Sequence, residues 1–162
     1  MRLNRIQQRA SVRTSSGDVT ASRLQSASDI TTSSGDVKLR DSRGGTIQTS
    51  SGDVEATAVS GSLSVHSSSG EIQLRPIPSR GDAVEAQSSS GDVSVWLPRG
   101  AGVDVDVHTN SGDIIGRVPI KVRSATRTGL LGRIGAGGAG LHVTTTSGNV
   151  TLLAAGAAAD DE

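Results

Sequence analysis

Side chains able to do chemistry are few in this sequence, and most of them recur at one fixed spacing. There is no Cys, and Trp96 is the only aromatic residue. A thiol nucleophile, a disulfide framework and any Cys metal site are therefore excluded. Seven short phrases each place a carboxylate or its amide after a glycine: Asp18, Asp36, Asp53, Glu71, Asp92, Asp113 and Asn149. Stacked in register these groups would stand about 5 Å apart. Each phrase offers a single carboxylate, whereas Ca²⁺ takes six to eight oxygens. The simpler expectation is an Asp that caps its own corner, its charge solvated.

The other candidates are weaker. His66 and His108 share one outward-facing column with Gln87 between them, about 10 Å apart and too far to share a metal. His142 points outward in the neighbouring column. Gly135-x-Gly137-x-x-Gly140 matches a dinucleotide fingerprint literally, but a strand-like run, Leu141–Gly148, follows it where a helix is required. No Gly-x-Ser-x-Gly elbow occurs. No catalytic, cofactor or metal residue is expected. Trp96 is the one candidate for a ligand platform. It stands five residues after its glycine, in the column that also holds Arg75 and Arg117. If the repeats stack in chain order, those two arginines flank the indole.

The elements that position these residues come from a repeat. The glycines of the Ser-Gly-Asp phrase are Gly17, Gly35, Gly52, Gly70, Gly91, Gly112 and Gly148, spaced by 18, 17, 18, 21, 21 and 36 residues. The last interval is twice the first. Five residues before each glycine stand Val12, Ile30, Ile47, Val65, Ala86, Val107 and Val143, and two after it Val19, Val37, Val54, Ile72, Val93, Ile114 and Val150. Between them apolar and polar residues alternate, the signature of strands with one buried face. Three residues before the glycine a hydroxyl always occurs, from Thr14 to Thr145, and could donate from coil to coil. Each repeat thus reads as two short strands joined at a Gly-Asp corner, where glycine adopts positive φ at no steric cost.

One such unit cannot bury its own apolar face, but stacked units can. The expected fold is all-β, a right-handed parallel β-solenoid of about seven coils, roughly 18 residues per coil, with two short strands in each. Residues 1–153 form this domain, with an irregular basic and Gly-rich segment at 117–140 and a flexible acidic tail at 154–162. The expected core is Val12, Val19, Ile30, Val37, Leu39, Ile47, Val54, Val65, Ile72, Leu74, Val93, Val95, Val105, Val107, Ile114, Val143 and Val150. Residues 1–11 hold only Leu3 and Ile6 as large apolar groups, so a weakly capped first coil is expected.

The sixteen bases and sixteen acids cancel, which leaves no electrostatic footprint for nucleic acid. The segment Arg117–Arg133 is basic and holds no acid, which suits either a patch for anionic polymer or lipid headgroups, or a capping loop with solvated charges. No window is long and apolar enough to span a membrane. The basic start has no apolar run behind it, so it is not read as a signal peptide, and the chain taken as complete would be cytoplasmic.

The phrases TSSGDV (Thr14–Val19, Thr32–Val37, Thr49–Val54), SSSGEI (Ser67–Ile72) and SSSGDV (Ser88–Val93) resemble a bacterial adhesin β-strand-repeat family, a domain of unknown function. So do Val95–Ile114 and the Gly-rich ending Gly135–Leu152. The resemblance covers about residues 10–153. It implies a right-handed β-solenoid in a bacterial cell envelope, usually behind an anchor or signal, and it brings no catalytic residues. The reading that follows is a non-catalytic envelope scaffold or adhesion-like module, with envelope polysaccharide or another protein as partner. The alternatives are a bactofilin-like filament formed by end-to-end self-association and, less favoured, a carbohydrate-active β-helix enzyme.

Overall fold

The computed structural model describes residues 2–155, and these fold without helices into seventeen strands in two sheets. In chain order they are β1 (Arg2–Ile6), β2 (Ala10–Ser16), β3 (Val19–Leu24), β4 (Ser28–Ser34), β5 (Val37–Ser42) and β6 (Gly45–Ser51). Then come β7 (Val54–Val59), β8 (Leu63–Ser69), β9 (Ile72–Pro76), β10 (Ala83–Ser90), β11 (Val93–Leu97) and β12 (Val103–Ser111). The last five are β13 (Ile114–Arg117), β14 (Ile120–Ala125), β15 (Gly129–Ile134), β16 (Ala139–Ser147) and β17 (Val150–Ala154). The first sheet runs β1-β3-β5-β7-β9-β11-β17-β13, parallel throughout. The second runs β14-β15-β12-β16-β10-β8-β6-β4-β2 and is parallel except where β15 meets β12 and β14. The fold is the expected β-solenoid.

The core follows the alternation. Every expected core residue is buried except Ile114, and the buried side chains form one continuous cluster. Ile114 is only partly covered because β13 ends the first sheet, with no further coil beyond it. Removing one fully buried Val, Leu or Ile side chain from water is worth about 1.5–3 kcal/mol. A stack of small aliphatic residues can therefore hold without large aromatics.

The Gly-Asp corner is fixed by close approach as well as by φ. A Cβ on Gly35, Gly52, Gly70, Gly91 or Gly148 would lie 2.1–2.5 Å from the carbonyl oxygen of the glycine one coil before it. The aspartates do not cap their own corners, as expected from sequence, but those of the next coil. Asp36 N–H donates to Asp18 Oδ1 (3.1 Å), Asp53 N–H to Asp36 Oδ1 (3.0 Å) and Glu71 N–H to Asp53 Oδ1 (2.8 Å). Stacking of Asp18, Asp36 and Asp53 is tolerated because each accepts a backbone N–H from the next coil. Glu71, one methylene longer, bonds Gln73 instead.

The hydroxyl column also differs from expectation. Thr14, Thr32, Thr49 and Ser67 donate to the carbonyl two residues on in their own coil, at 2.8–3.2 Å, whereas Thr109 donates across to the adjacent coil, to Gly148 O at 3.3 Å. On the other corner, Arg5, Arg23, Asp41 and Ala58 stack in a column with φ of 51–56°. A non-glycine residue held there costs about 1–2 kcal/mol.

The stacking order departs from the chain order. β16 and β17 insert between the β10–β11 and β12–β13 coils. The 36-residue interval is therefore not two coils. Segment 117–140, expected to be irregular, contains the antiparallel β14–β15 hairpin, which extends the second sheet past β12. Ile120 and Leu130 of this hairpin, with Val118, pack against the core. Gly116 occupies an otherwise inward apolar column; a Cβ there would stand 3.3 Å from Ile120 Cδ1. The missing side chain leaves room for the cap. At the other end no helical cap forms: β1 is a largely exposed strand with Leu3 and Ile6 partly buried. Of the expected tail, Ala154 closes β17 and Ala155 N–H bonds Leu97 O at 2.7 Å. Residues 156–162 lie outside the described range.

Candidate functional site

Trp96 lies on the outward face of β11 and is half-buried, between the inward Val95 and Leu97. The Arg75 guanidinium sits over its ring, 4.8 Å from the centroid, a contact worth about 0.5–1 kcal/mol at an exposed site. Arg117 is not its other neighbour. The inserted β17 places Leu153 beside Trp96, and Arg117 follows beyond Leu153. The three-residue platform expected from chain order is therefore reduced to Arg75 and Trp96. One indole face is already occupied by a cation, and Trp96 Nε1 is buried without a partner among the described residues.

The same insertion rearranges the histidines. Four strands, β8, β10, β16 and β12, now separate the column into His66, Gln87, Thr144 and His108. His66 and His108 stand three strand spacings apart, about 14 Å rather than 10 Å. His108 and His142 instead flank one carboxylate: His108 Nε2 lies 3.1 Å from Asp106 Oδ1, and His142 Nδ1 lies 3.3 Å from Asp106 Oδ2. Two imidazoles on opposite oxygens of one carboxylate do not converge on a common point. No group of three or more possible metal ligands is found among the described residues. Sequence reasoning missed this cluster because residues 106 and 142 become neighbours only when β16 pairs with β12.

Beside the cluster, the hairpin and the outer face of the second sheet enclose a cleft of about 570 Å³, lined by Glu85, Asp106, Arg123, Leu131, Arg133 and His142 among others. Two of its charges are paired with each other. Arg133 Nε donates to Asp104 Oδ1 at 2.6 Å. That hydrogen bond, reinforced by the guanidinium charge, holds the Asp104 carboxyl below its ordinary range, against a smaller opposing effect of desolvation.

Further along the same face, before Arg13 on β2, four rungs of the column hold no carboxylate, lysine or arginine. Thr31, Gln48, His66 and Gln87 stand side by side on β4, β6, β8 and β10. With Ser33, Ser50, Ser68 and Ser89 they line an open groove of about 380 Å³. Adjacent members are one strand apart, about 4.8 Å. Such a row offers a regular series of hydrogen-bond donors and acceptors.

Fold and surface together define a β-solenoid repeat scaffold with a polar ladder on one flat side. The chain belongs to the Toastrack DUF4097 family, whose pattern matches residues 3–153, a domain of unknown function with a β-solenoid-like fold. No curated protein and no solved structure matches it. Among the described residues no helix is long and apolar enough to cross a membrane.

Proposed function

We propose that the chain is a non-catalytic interaction scaffold of the bacterial cell envelope, with an extended neutral polysaccharide as the ligand of its polar side. The observation that carries this reading is the Thr31–Gln48–His66–Gln87 row, which holds no carboxylate, lysine or arginine, with its accompanying serines, one rung per coil. A polymer that repeats along the stack can meet a polar side chain and a serine hydroxyl at each rung. Many weak contacts then add through effective concentration. Arg75 and Trp96, on the opposite sheet, form a secondary contact suited to an acidic sugar.

Retention on insoluble envelope polysaccharide tests the reading. The intact chain should be retained, and Gln48→Ala with Gln87→Ala should weaken retention by about tenfold, as expected for two lost hydrogen bonds. Unchanged retention of the double variant, or none of the intact chain, would remove the polar ladder as a binding face. In the same series, acidic oligosaccharide should shift Trp96 fluorescence if the Arg75–Trp96 contact takes part.

A further inference from the structure

Four large hydrophobic residues are exposed among the described residues: Ile77 (53%), Ile115 (41%), Val122 (53%) and Leu131 (44%). Three of them belong to β13, β14 and β15, the strands that end the stack. Two interrupt columns that are polar elsewhere. Across the first sheet, the outward column reads Thr20, Lys38, Glu55, Gln73, Ser94, Thr151 and then Ile115. Across the second it reads Ser11, Asp29, Thr46, Ser64, Glu85, His142, Asp106 and then Leu131. The first column becomes apolar only at its last rung and the second at its last but one, with Ser124 of β14 beyond Leu131; the two residues lie at the same end of the molecule, on the outer faces of the two sheets. An uncovered inward residue accounts for Val122 but not for these two.

The same end is cationic. Arg117, Lys121, Arg123 and Arg127 are exposed there, and no acid occurs between Asp113 and Asp160. Among the described residues, Arg133 is the one cation of the hairpin that a carboxylate holds in a salt bridge. Cations alone would be explained as protection of edge strands against unwanted pairing. Apolar side chains among the cations work against that purpose, and they match the chemistry of a surface that carries anionic headgroups over an apolar layer.

We propose that the β13–β15 end of the stack docks on an anionic lipid surface, with Arg117, Lys121, Arg123 and Arg127 meeting headgroups and Ile115, Val122 and Leu131 entering the interface. The rod then stands end-on, with its polar side free. This inference does not depend on the polysaccharide reading. Co-sedimentation with vesicles tests it. The chain should bind phosphatidylglycerol-containing vesicles, not phosphatidylcholine alone, and added salt should weaken binding. Each cation removed should lower the partition coefficient by about fivefold, so Lys121→Gln with Arg123→Gln should cost about 25-fold. Val122→Ser with Leu131→Ser should reduce binding several-fold at constant charge, while Arg2→Gln with Arg5→Gln at the opposite end should leave it unchanged. All these positions are exposed or edge residues, and an unaltered thermal unfolding curve confirms folding. Absence of lipid binding overturns the proposal. So does equal loss in the Arg2/Arg5 variant, which would show an effect of net charge alone. Equally tight binding to soluble polyglutamate that ignores Val122→Ser and Leu131→Ser would assign the end to an anionic polymer instead.

Discussion

The two ends of the stack are built from the same strands yet closed in different ways. At the first, β1 and β2 each pair on one side only and carry Arg2, Arg5 and Arg13, with Arg9 just between them. At the second, the chain turns back through the β14–β15 hairpin, so that Ile120 and Leu130 cover the last coil. Both ends are basic, and three of the four exposed large hydrophobic residues belong to the second. The first is thus an edge guarded by charge, and the second a capped end with an amphipathic rim. The ends also fail to complement each other. The first sheet has eight strands and the second nine, so no single translation continues both sheets into a second copy without a gap or a clash. Like charges meet in the same arrangement. These features weigh against end-to-end filaments, which concentration-dependent light scattering would reveal.

The asymmetry is sharpest at the corner glycines. Gly112 at the capped end stacks on Gly148, whose carbonyl oxygen would lie 2.1 Å from an added Cβ, whereas Gly17 at the open end has nothing within 4 Å. Both have positive φ, 148° and 101°. Gly112→Ala should therefore cost about 3 kcal/mol or more, combining backbone displacement with strain, and Gly17→Ala about 1 kcal/mol. Chemical denaturation measures both. Equal costs would show that φ alone governs the corner and that the close coil contact is relieved freely.

A smaller difference is expected between the apolar residues that close each end. Ile120 packs over Gly116 as part of the cap, while Ile6 lies on an edge strand with no strand beyond it. Ile120→Ala should cost about 2 kcal/mol, the low end for a core truncation, and Ile6→Ala about half as much. If Ile6→Ala proves the more costly, the open end is better packed than its exposure implies.

The smallest effect concerns the ion pair near each end, Arg9–Asp29 and Arg133–Asp104, both at 2.6 Å. Arg9→Ala should change stability by only a few tenths of a kcal/mol, as for other exposed pairs. Asp104, held below the ordinary carboxylate range by Arg133, contributes stability that is present above the unfolded-chain pKa and lost as pH falls through its lowered folded value. Hydrogen-exchange protection of the β14–β15 hairpin, taken relative to the intrinsic exchange rate at each pH, should therefore fall in acid, and Arg133→Gln should remove that pH dependence. A hairpin whose protection ignores both acid and Arg133→Gln is held by its apolar contacts alone.

Much of the fold was legible because each coil repeats one local instruction. Alternation around Val37 or Val54 assigns inside and outside, and a one-residue slip would expose every buried Val. The corner glycine needs only its own φ and the coil beneath it. By contrast, the Asp18–Asp36–Asp53 ladder required knowing which N–H faces which carboxylate, and that spacing lies between coils. The site was less legible still. Trp96 was correctly placed outward with Arg75 beside it, but Arg117 and the His108–Asp106–His142 cluster depend on which coil lies next to which.

That neighbour relation is what the sequence left open. Parallel ladder bonds are made by backbone, and the columns are so alike that several coils offer equivalent edges. Sequence alone determined strand parity, the corner, the aliphatic core and the basic, acid-free segment near the end. Tertiary structure decided the order of stacking. The Gly-rich turn at 135–138 returns the chain to β16, and Asn149 then stands between Asp92 and Asp113, donating its backbone N–H to Asp92 Oδ1 (2.8 Å) and accepting from Asp113 N–H (2.9 Å). The coil formed by β16 and β17 thereby becomes an interior coil of the stack, and the hairpin before it becomes the end, with Ile120 fitting over Gly116.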